Sequence, residues 1–269
     1  MKMNMKLSKR GVTLVYDGYR VITDEELAHL YEGSLKIPPN EYLVVGGKAY
    51  RSDGKPLSFN KLKDFSPKNL EQRMAFDLLD NDEIPIKFLY GIAGSGKTKM
   101  AIQYGLSKLG KYDSLFIVRH PVTVGESLGL YKGTKEEKIK NWINPIVDNV
   151  EGGEYAIERM QGQGKTPKIE FDVPGDMQGR DLRNRFIIVD EAQQLTREQI
   201  KMIGSRVSTG SVIVFCGDIE QTFENKYKGD KNGLGWAVEM LRNEKEVGIV
   251  QLKHSVRGRV AELFASMKI

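Results

Sequence analysis

The sequence predicts an α/β fold, a parallel sheet flanked by helices and preceded by a small β-hairpin module. Three observations predict it. From Ser66 onward, five apolar runs of strand length alternate with helical stretches: Ile86 to Tyr90, Leu115 to Val118, Phe186 to Val189, Val212 to Phe215 and Val247 to Leu252. Uninterrupted runs of this kind belong to parallel strands buried on both faces. The first of them feeds a glycine-rich turn, Gly91-Ile-Ala-Gly94-Ser95-Gly96, and helical periodicity follows it. Ahead of Ser66 the chain carries hairpin signals instead.

Taken in order, the first module spans residues 1–64 and the second 65–269. Thr13 to Tyr16, Asp17-Gly18 and Tyr19 to Ile22 read as one hairpin. Tyr42 to Val45, Gly46-Gly47 and Lys48 to Tyr50 read as a second. Between them Thr23 is placed to cap a short helix over Asp24 to Tyr31, which Ile37-Pro-Pro-Asn40 would end. There is no internal repeat and no low-complexity tract.

Composition narrows the class. A chain of 269 residues is long enough for one large α/β domain with a small companion. No apolar run approaches the roughly 20 residues of a membrane-spanning helix, and no signal-peptide core follows the amino terminus. A cytoplasmic protein with no membrane partner is expected. The single cysteine, Cys216, excludes an internal disulfide and lies in an apolar run, where a buried structural thiol is expected. His29, His120 and His254 are scattered and give no zinc spacing. A net charge of +5 permits nucleic-acid binding without requiring it.

The turn after the first run reads Gly91-Ile-Ala-Gly94-Ser95-Gly96-Lys97-Thr98, the pattern of a phosphate-cradling loop. Glycines let backbone N–H groups wrap phosphates, and a following helix aims its positive end at them. Gly91, Ala93, Gly94, Ser95, Gly96, Lys97, Thr98 and Lys99 are the expected nucleotide contacts. Lys97 would reach the β- and γ-phosphates, and the Thr98 hydroxyl would hold Mg²⁺. ATP, or another nucleoside triphosphate, is therefore expected with Mg²⁺ as cofactor. The run Phe186 to Val189 ends in Asp190-Glu191. Asp190 is placed to bind Mg²⁺ and Glu191 to act as general base, although two acids there also suit a helix cap. Val212 to Phe215 runs into Gly217-Asp218-Ile-Glu-Gln221, where Gln221 or Asp218 is a candidate contact to the γ-phosphate or its water, or else a plain turn. All these segments fall at carboxyl ends of presumed parallel strands, where open α/β sheets place ligands.

In order along the chain, the motifs are Pro67-Lys-Asn-Leu-Glu-Gln72, the loop at Gly91, Arg119-His-Pro-Val122 with Gly125-Glu126-Ser-Leu-Gly129, and Glu136-Glu137-Lys138 with Trp142. Gln178-Gly179-Arg180, Asp190-Glu-Ala-Gln193, Gly217-Asp218 with Gln221, Asn232-Gly233-Leu234 and Ser255-Val-Arg257 follow. Together, from Ser66 to Met267, they resemble the PhoH family of ATPases, related to superfamily one helicases, and above all the ATPase half of members that carry a PIN nuclease domain. The resemblance implies a P-loop NTPase with a RecA-like sheet. It places Gln72 as the adenine-reading glutamine, an alternative to an ordinary helix residue, and Arg257 as the arginine that meets the transition state, an alternative to a surface ion pair. It also sets Arg119 to Val122 against a single nucleic-acid strand, although Arg119 equally suits a nearby carboxylate. Trp142 is either a base-stacking or a core residue.

One nucleotide-binding sheet leaves Arg257 without a second sheet of its own chain to carry it. The expected arrangement is a homo-oligomer, with a hexameric ring as the candidate form, in which Arg257 acts from a neighbouring subunit. The first 64 residues are too short for a PIN domain and carry no nuclease signature. Gln178 and Gln194 depart from the family pattern. The loop Glu224 to Lys231 interleaves lysines with an aromatic and is either solvated or in contact with nucleic acid. Two functions follow: ATP hydrolysis coupled to RNA or single-stranded DNA, or a nucleotide-timed module acting on a protein partner. A small-molecule kinase would need a second substrate pocket for which there is no signature.

Overall fold

Short β-branched and aromatic stretches at the start of the chain pair into a small mixed sheet. The computed structural model describes residues 16–63, 65–120, 143–162, 167–222, 231–258 and 260. Its first strand, β1 (Tyr19–Val21), pairs in parallel with β2 (Tyr42–Val45), which pairs antiparallel with β3 (Lys48–Tyr50). The second expected hairpin is therefore present, and the first strand of the other lies almost wholly outside the described residues. Tyr16 lies outside any strand, and Thr13 to Val15 fall outside the described residues. Gly18 is there for a tertiary reason: a Cβ on it would sit 1.9 Å from the carbonyl oxygen of Ile249. Helix α1 (Asp24–Tyr31) starts where expected, with Thr23 and Glu26 forming a reciprocal capping box. It ends earlier than Ile37-Pro-Pro-Asn40, with left-handed Gly33 (φ 75°) soon after its last residue.

The main body alternates helix and strand: α2 (Leu70–Asp80), β4 (Ile86–Gly91), α3 (Lys97–Ser107), β5 (Ser114–Arg119), α4 (Gly153–Gly162) and β6 (Ile169–Asp172). It continues with β7 (Arg185–Asp190), α5 (Arg197–Gly204), β8 (Val212–Gly217), α6 (Gly233–Leu241) and β9 (Val247–Leu252). Six strands form one sheet in the order β6-β5-β7-β8-β4-β9, and every pairing is parallel. β6 was not among the expected strands. Its sequence, Ile-Glu-Phe-Asp, belongs to an edge, where alternation replaces an unbroken apolar run.

Successive residues of each inner strand face opposite sides. Leu89, Ile117, Ile188 and Val214 pack with Met74 and Leu78 of α2 and Met100 and Ile102 of α3. Phe88, Phe116, Ile187 and Ile213 pack on the other face with Ile200 and Ile203 of α5 and Leu234 and Val238 of α6. Each fully buried side chain of this kind contributes about 1.5–3 kcal/mol. Lys87, inside β4, is the exception to the apolar rule. It is wholly buried, and its Nζ donates to the Leu78 carbonyl (2.6 Å) and to that of Asn81, closing the end of α2.

The small sheet is seated on this body by polar contacts. Tyr42 Oη donates to buried Asp77 of α2 at 2.9 Å, Arg51 pairs with the same carboxylate at 2.8 Å, and Asn40 Nδ2 donates to the Lys245 carbonyl at 2.7 Å. Among the described residues no helix is long and apolar enough to cross a membrane.

Candidate functional site

β4 ends at Gly91, whose φ of 131° and close approach to β9 exclude a side chain: a Cβ would lie 2.0 Å from the Leu252 carbonyl oxygen. The loop then turns through Gly94 (φ 75°) and Gly96 (φ 89°) into α3. Gly96 caps α3 with no side-chain acceptor, so the first-turn N–H groups of the helix have no cap partner. Such a terminus suits an anion. The Lys97 ammonium donates to the carbonyls of Gly91 (2.7 Å) and Ile92 (2.8 Å) and to Ser95 Oγ (3.3 Å). Burial depresses its pKa, opposed first by Asp218 and then by Cys216, Glu191 and Asp190.

The end of β7 supplies the opposite wall. Buried Asp190 accepts from Thr98 Oγ1 at 2.7 Å on one oxygen and from Arg119 at 2.5 Å on the other. Arg119 ends β5 and also lies 3.6 Å from Glu191, the kind of carboxylate contact that its position suits. Glu191 adopts left-handed backbone (φ 53°, ψ 39°), a conformation that costs a residue with a side chain about 1–3 kcal/mol. Strain of this size collects at functional positions. Its carboxylate accepts from Gln193 Nε2 at 2.7 Å. Burial, then the Asp190 charge, raises its pKa, while Arg119, Gln193 and Lys97 hold it down. A carboxylate whose proton affinity is raised this way is a better base.

These groups face one cavity of about 660 Å³. Of the expected site residues, Gln72, Ala93, Gly94, Gly96, Lys97, Thr98, Lys99, Asp190, Glu191, Gln221 and Arg257 line it, whereas Gly91 and Ser95 support the loop from beneath. Gln72 is buried, with Nε2 donating to the Ser95 carbonyl (2.9 Å) and Oε1 accepting from Lys68 N (2.8 Å). One donor and one acceptor site of its amide stay uncommitted by those bonds. Gln221 is exposed at the rim, and its carbonyl accepts from Gln194 at 2.9 Å.

Arg257 differs from expectation. Its Cγ and Cδ lie within 3 Å of where a Gly94 Cβ would stand, and Val256 N donates to the Gly94 carbonyl at 3.0 Å. It therefore borders the cavity of its own chain, and the segment after β9 carries it there.

One side chain that ties the strand ends at the site together escaped the sequence reading. Gln193 bonds Glu191, accepts from Asp218 N (3.1 Å) and lies 3.3 Å from the Gln221 carbonyl, so one amide joins the ends of β7 and β8. Its place in the Asp190 to Gln193 motif was the available signal. The expected contacts at 121–142, including Trp142, and most of the loop from Glu224 lie outside the described residues.

The residues present fit Mg²⁺. Thr98 and Asp190 place a hydroxyl and a carboxylate together at the end of a phosphate-type loop. Mg²⁺ is commonly held by one or two such protein oxygens with water and substrate phosphates.

A family model described as PhoH-like protein matches residues 64–267. Protein PhoH2 of Bacillus subtilis (strain 168) is 39% identical over 212 residues, which cover 75% of this chain and 47% of that protein. The PhoH-like protein of Mycobacterium tuberculosis (strain ATCC 25618 / H37Rv) is 31% identical over 217 residues, 76% of this chain and 58% of that protein. The chain thus spans about half the length of the curated relatives it matches. Among solved structures, that of Pif1 helicase from Candida albicans aligns with 74% of this chain and 42% of its own at 16% identity and a TM-score of 0.38.

Proposed function

The chain belongs to the PhoH family, and from that premise we propose that it binds ATP with Mg²⁺ over the Gly91–Lys99 loop and hydrolyses it. The observation that carries this reading is the 2.7 Å bond from Thr98 to Asp190, which brings loop and acidic strand end together beside Glu191. ADP and phosphate would be the products. In this reading the ATP phosphates take over the Lys97 hydrogen bonds now made to loop carbonyls. Thr98 and Asp190 would hold Mg²⁺, which when bound would supply positive charge at the phosphate oxygens. Glu191 takes a proton from the attacking water, Gln193 keeps its carboxylate aimed, and Gln221 stands at the rim to contact that water or the γ-phosphate. Arg257, from the same chain, offers its guanidinium to charge developing on the transferred group. Gln72 offers its uncommitted donor and acceptor to adenine.

Turnover is coupled in this proposal to binding or remodelling of RNA or single-stranded DNA. A net charge of +5 and the family's resemblance to helicases support it. Homo-oligomerisation, with a hexameric ring as the candidate, is a separate proposal that solution mass with and without Mg-ATP tests. The cytoplasm is the proposed location.

The deciding experiment measures phosphate release from ATP with Mg²⁺ and with excess chelator, with and without RNA or single-stranded DNA at low salt. Turnover should require Mg²⁺ and rise with nucleic acid. Glu191→Gln should lower kcat by about 10²- to 10⁴-fold while nucleotide binding persists. Full turnover in that variant removes Glu191 as the base. Nucleic acid that neither binds nor stimulates would leave the ATPase as a module for a protein partner.

A further inference from the structure

Glu71 occupies the first turn of α2 and is buried, yet the reaction as described makes no use of it. Its carboxylate takes four hydrogen bonds. One oxygen accepts from Tyr19 Oη (3.1 Å) and His254 Nδ1 (3.0 Å), and the other from the main-chain N–H groups of Lys253 (2.8 Å) and His254 (3.2 Å). The positive end of α2 adds to what stabilises a buried anion there.

The partners define what such a carboxylate does. Lys253 and His254 are the first residues after β9, and the same short segment continues through Val256, bonded to Gly94, to Arg257 at the cavity. Glu71 fixes the start of the segment and Gly94 its middle, which leaves little freedom in where Arg257 stands. The adjacent residue Gln72 holds the opposite side, through the Ser95 carbonyl of the loop. One helical turn therefore sets loop and arginine relative to each other. Tyr19 brings the small N-terminal sheet to the same point, reinforced by Lys253 Nζ to Asp17 at 2.5 Å and Gln251 N to the Asp17 carbonyl at 2.9 Å.

We propose that Glu71 is a positioning residue for Arg257, and that Tyr19 makes the N-terminal sheet a working part of the ATPase site. The proposal rests on the reading of Arg257 given above. A misplacement near 1 Å of a group that meets the transition state costs about 10²-fold in rate. Glu71→Gln keeps the size of the side chain but replaces an oxygen that accepts from main-chain N–H groups with an amide donor.

The test is a double-mutant cycle on ATP turnover. Glu71→Gln should lower kcat by about 10²-fold with KM for ATP changed less than about threefold. In an Arg257→Ala background, the same substitution should lower kcat by less than about twofold, because the group it positions is gone. The melting temperature should fall equally in both backgrounds, which separates positioning from general damage. Tyr19→Phe removes one of the four bonds and keeps the test open if Glu71→Gln does not fold. It should lower kcat by about threefold, and that loss too should vanish with Arg257→Ala. Equal kcat losses with and without Arg257, unchanged kcat in the folded single variants, or full kcat in Arg257→Ala would each overturn the proposal. No turnover by the unsubstituted protein would overturn the ATPase reading and this inference with it.

Discussion

Lys87 and Lys97 lie on one path of strand, loop and helix, and both give their N–H bonds to main-chain carbonyls. Their surroundings separate them. Lys87 has no exposed surface, and burial together with the neighbouring Lys108 charge brings its pKa down to about 7, against the pull of Asp82, Asp80 and Asp77. Lys97 is half-buried at a cavity, and the groups that oppose its desolvation are Asp218, Cys216, Glu191 and Asp190, with no other cation among the leading influences. A neutral amine still has two N–H bonds, enough for both of the carbonyls that Lys87 meets. In the proposed reaction an ammonium with three donors is what Lys97 would bring to phosphate oxygens. Burial alone thus makes neither a catalytic lysine nor a structural one. The sign of its neighbours and the access of a ligand decide.

Exchanging each for methionine should break that symmetry. Lys97→Met removes a preorganised donor from the charge that develops on the phosphates, and kcat/KM for ATP should fall by about 10³-fold. Its melting temperature should hold or rise, since an apolar chain needs no solvation. A large loss of stability with activity intact would place Lys97 in the class of Lys87. A smaller effect is expected one step away. Gly94→Ala must put a side chain at φ 75° and 2.7 Å from Arg257 Cδ. Displacing that arginine should lower kcat by about tenfold. An unchanged kcat would detach Arg257 from the chemistry.

The two lysines also differ in how far the sequence reveals them. Lys97 follows from a pattern whose every residue has a local reason, and the strand, loop and helix around it are local as well. Lys87 is hidden inside an apolar run, because nothing in Ile86-Lys-Phe-Leu-Tyr90 states that both faces of the strand are covered. The same limit accounts for the other differences. Asp17-Gly18 looks like a hairpin turn, yet its glycine answers to Ile249, more than two hundred residues away, and β1 finds a parallel partner in β2. Arg257 is expected from another subunit because one sheet leaves it no second sheet to stand on, whereas its place beside Gly94 of its own chain runs through a bond from Val256 that no spacing encodes. Local capping was legible at Thr23, whose bond to the Glu26 N–H lies within one helical turn. Gln193 was visible as a motif member, but its role required the positions of two strand ends.

Lys87→Met is the sharpest check on the structural half of the comparison. In the folded state Lys87 loses its proton near pH 7, whereas in the unfolded chain a lysine keeps it to about pH 10.4. Between those values the unfolded state binds more protons, so stability rises with pH across that window. One proton limits the slope to about 1.4 kcal/mol per pH unit. Below pH 7 the charge is present in both states and its burial penalty is carried in full. Denaturant unfolding at pH 7.5 and 9.0 should therefore show the wild type gaining up to about 2 kcal/mol relative to Lys87→Met. Aspartates and glutamates are ionised throughout that interval and contribute no slope of their own. Methionine leaves the carbonyls of Leu78 and Asn81 without their donor, so the variant can be the less stable protein at either pH. The difference in slope carries the test. At the same time kcat/KM for ATP should stay within about twofold of wild type, because β4 delivers the loop through its backbone. Parallel pH dependences in the two proteins would mean that Lys87 stays charged in the folded state, held by Asp82, Asp80 and Asp77.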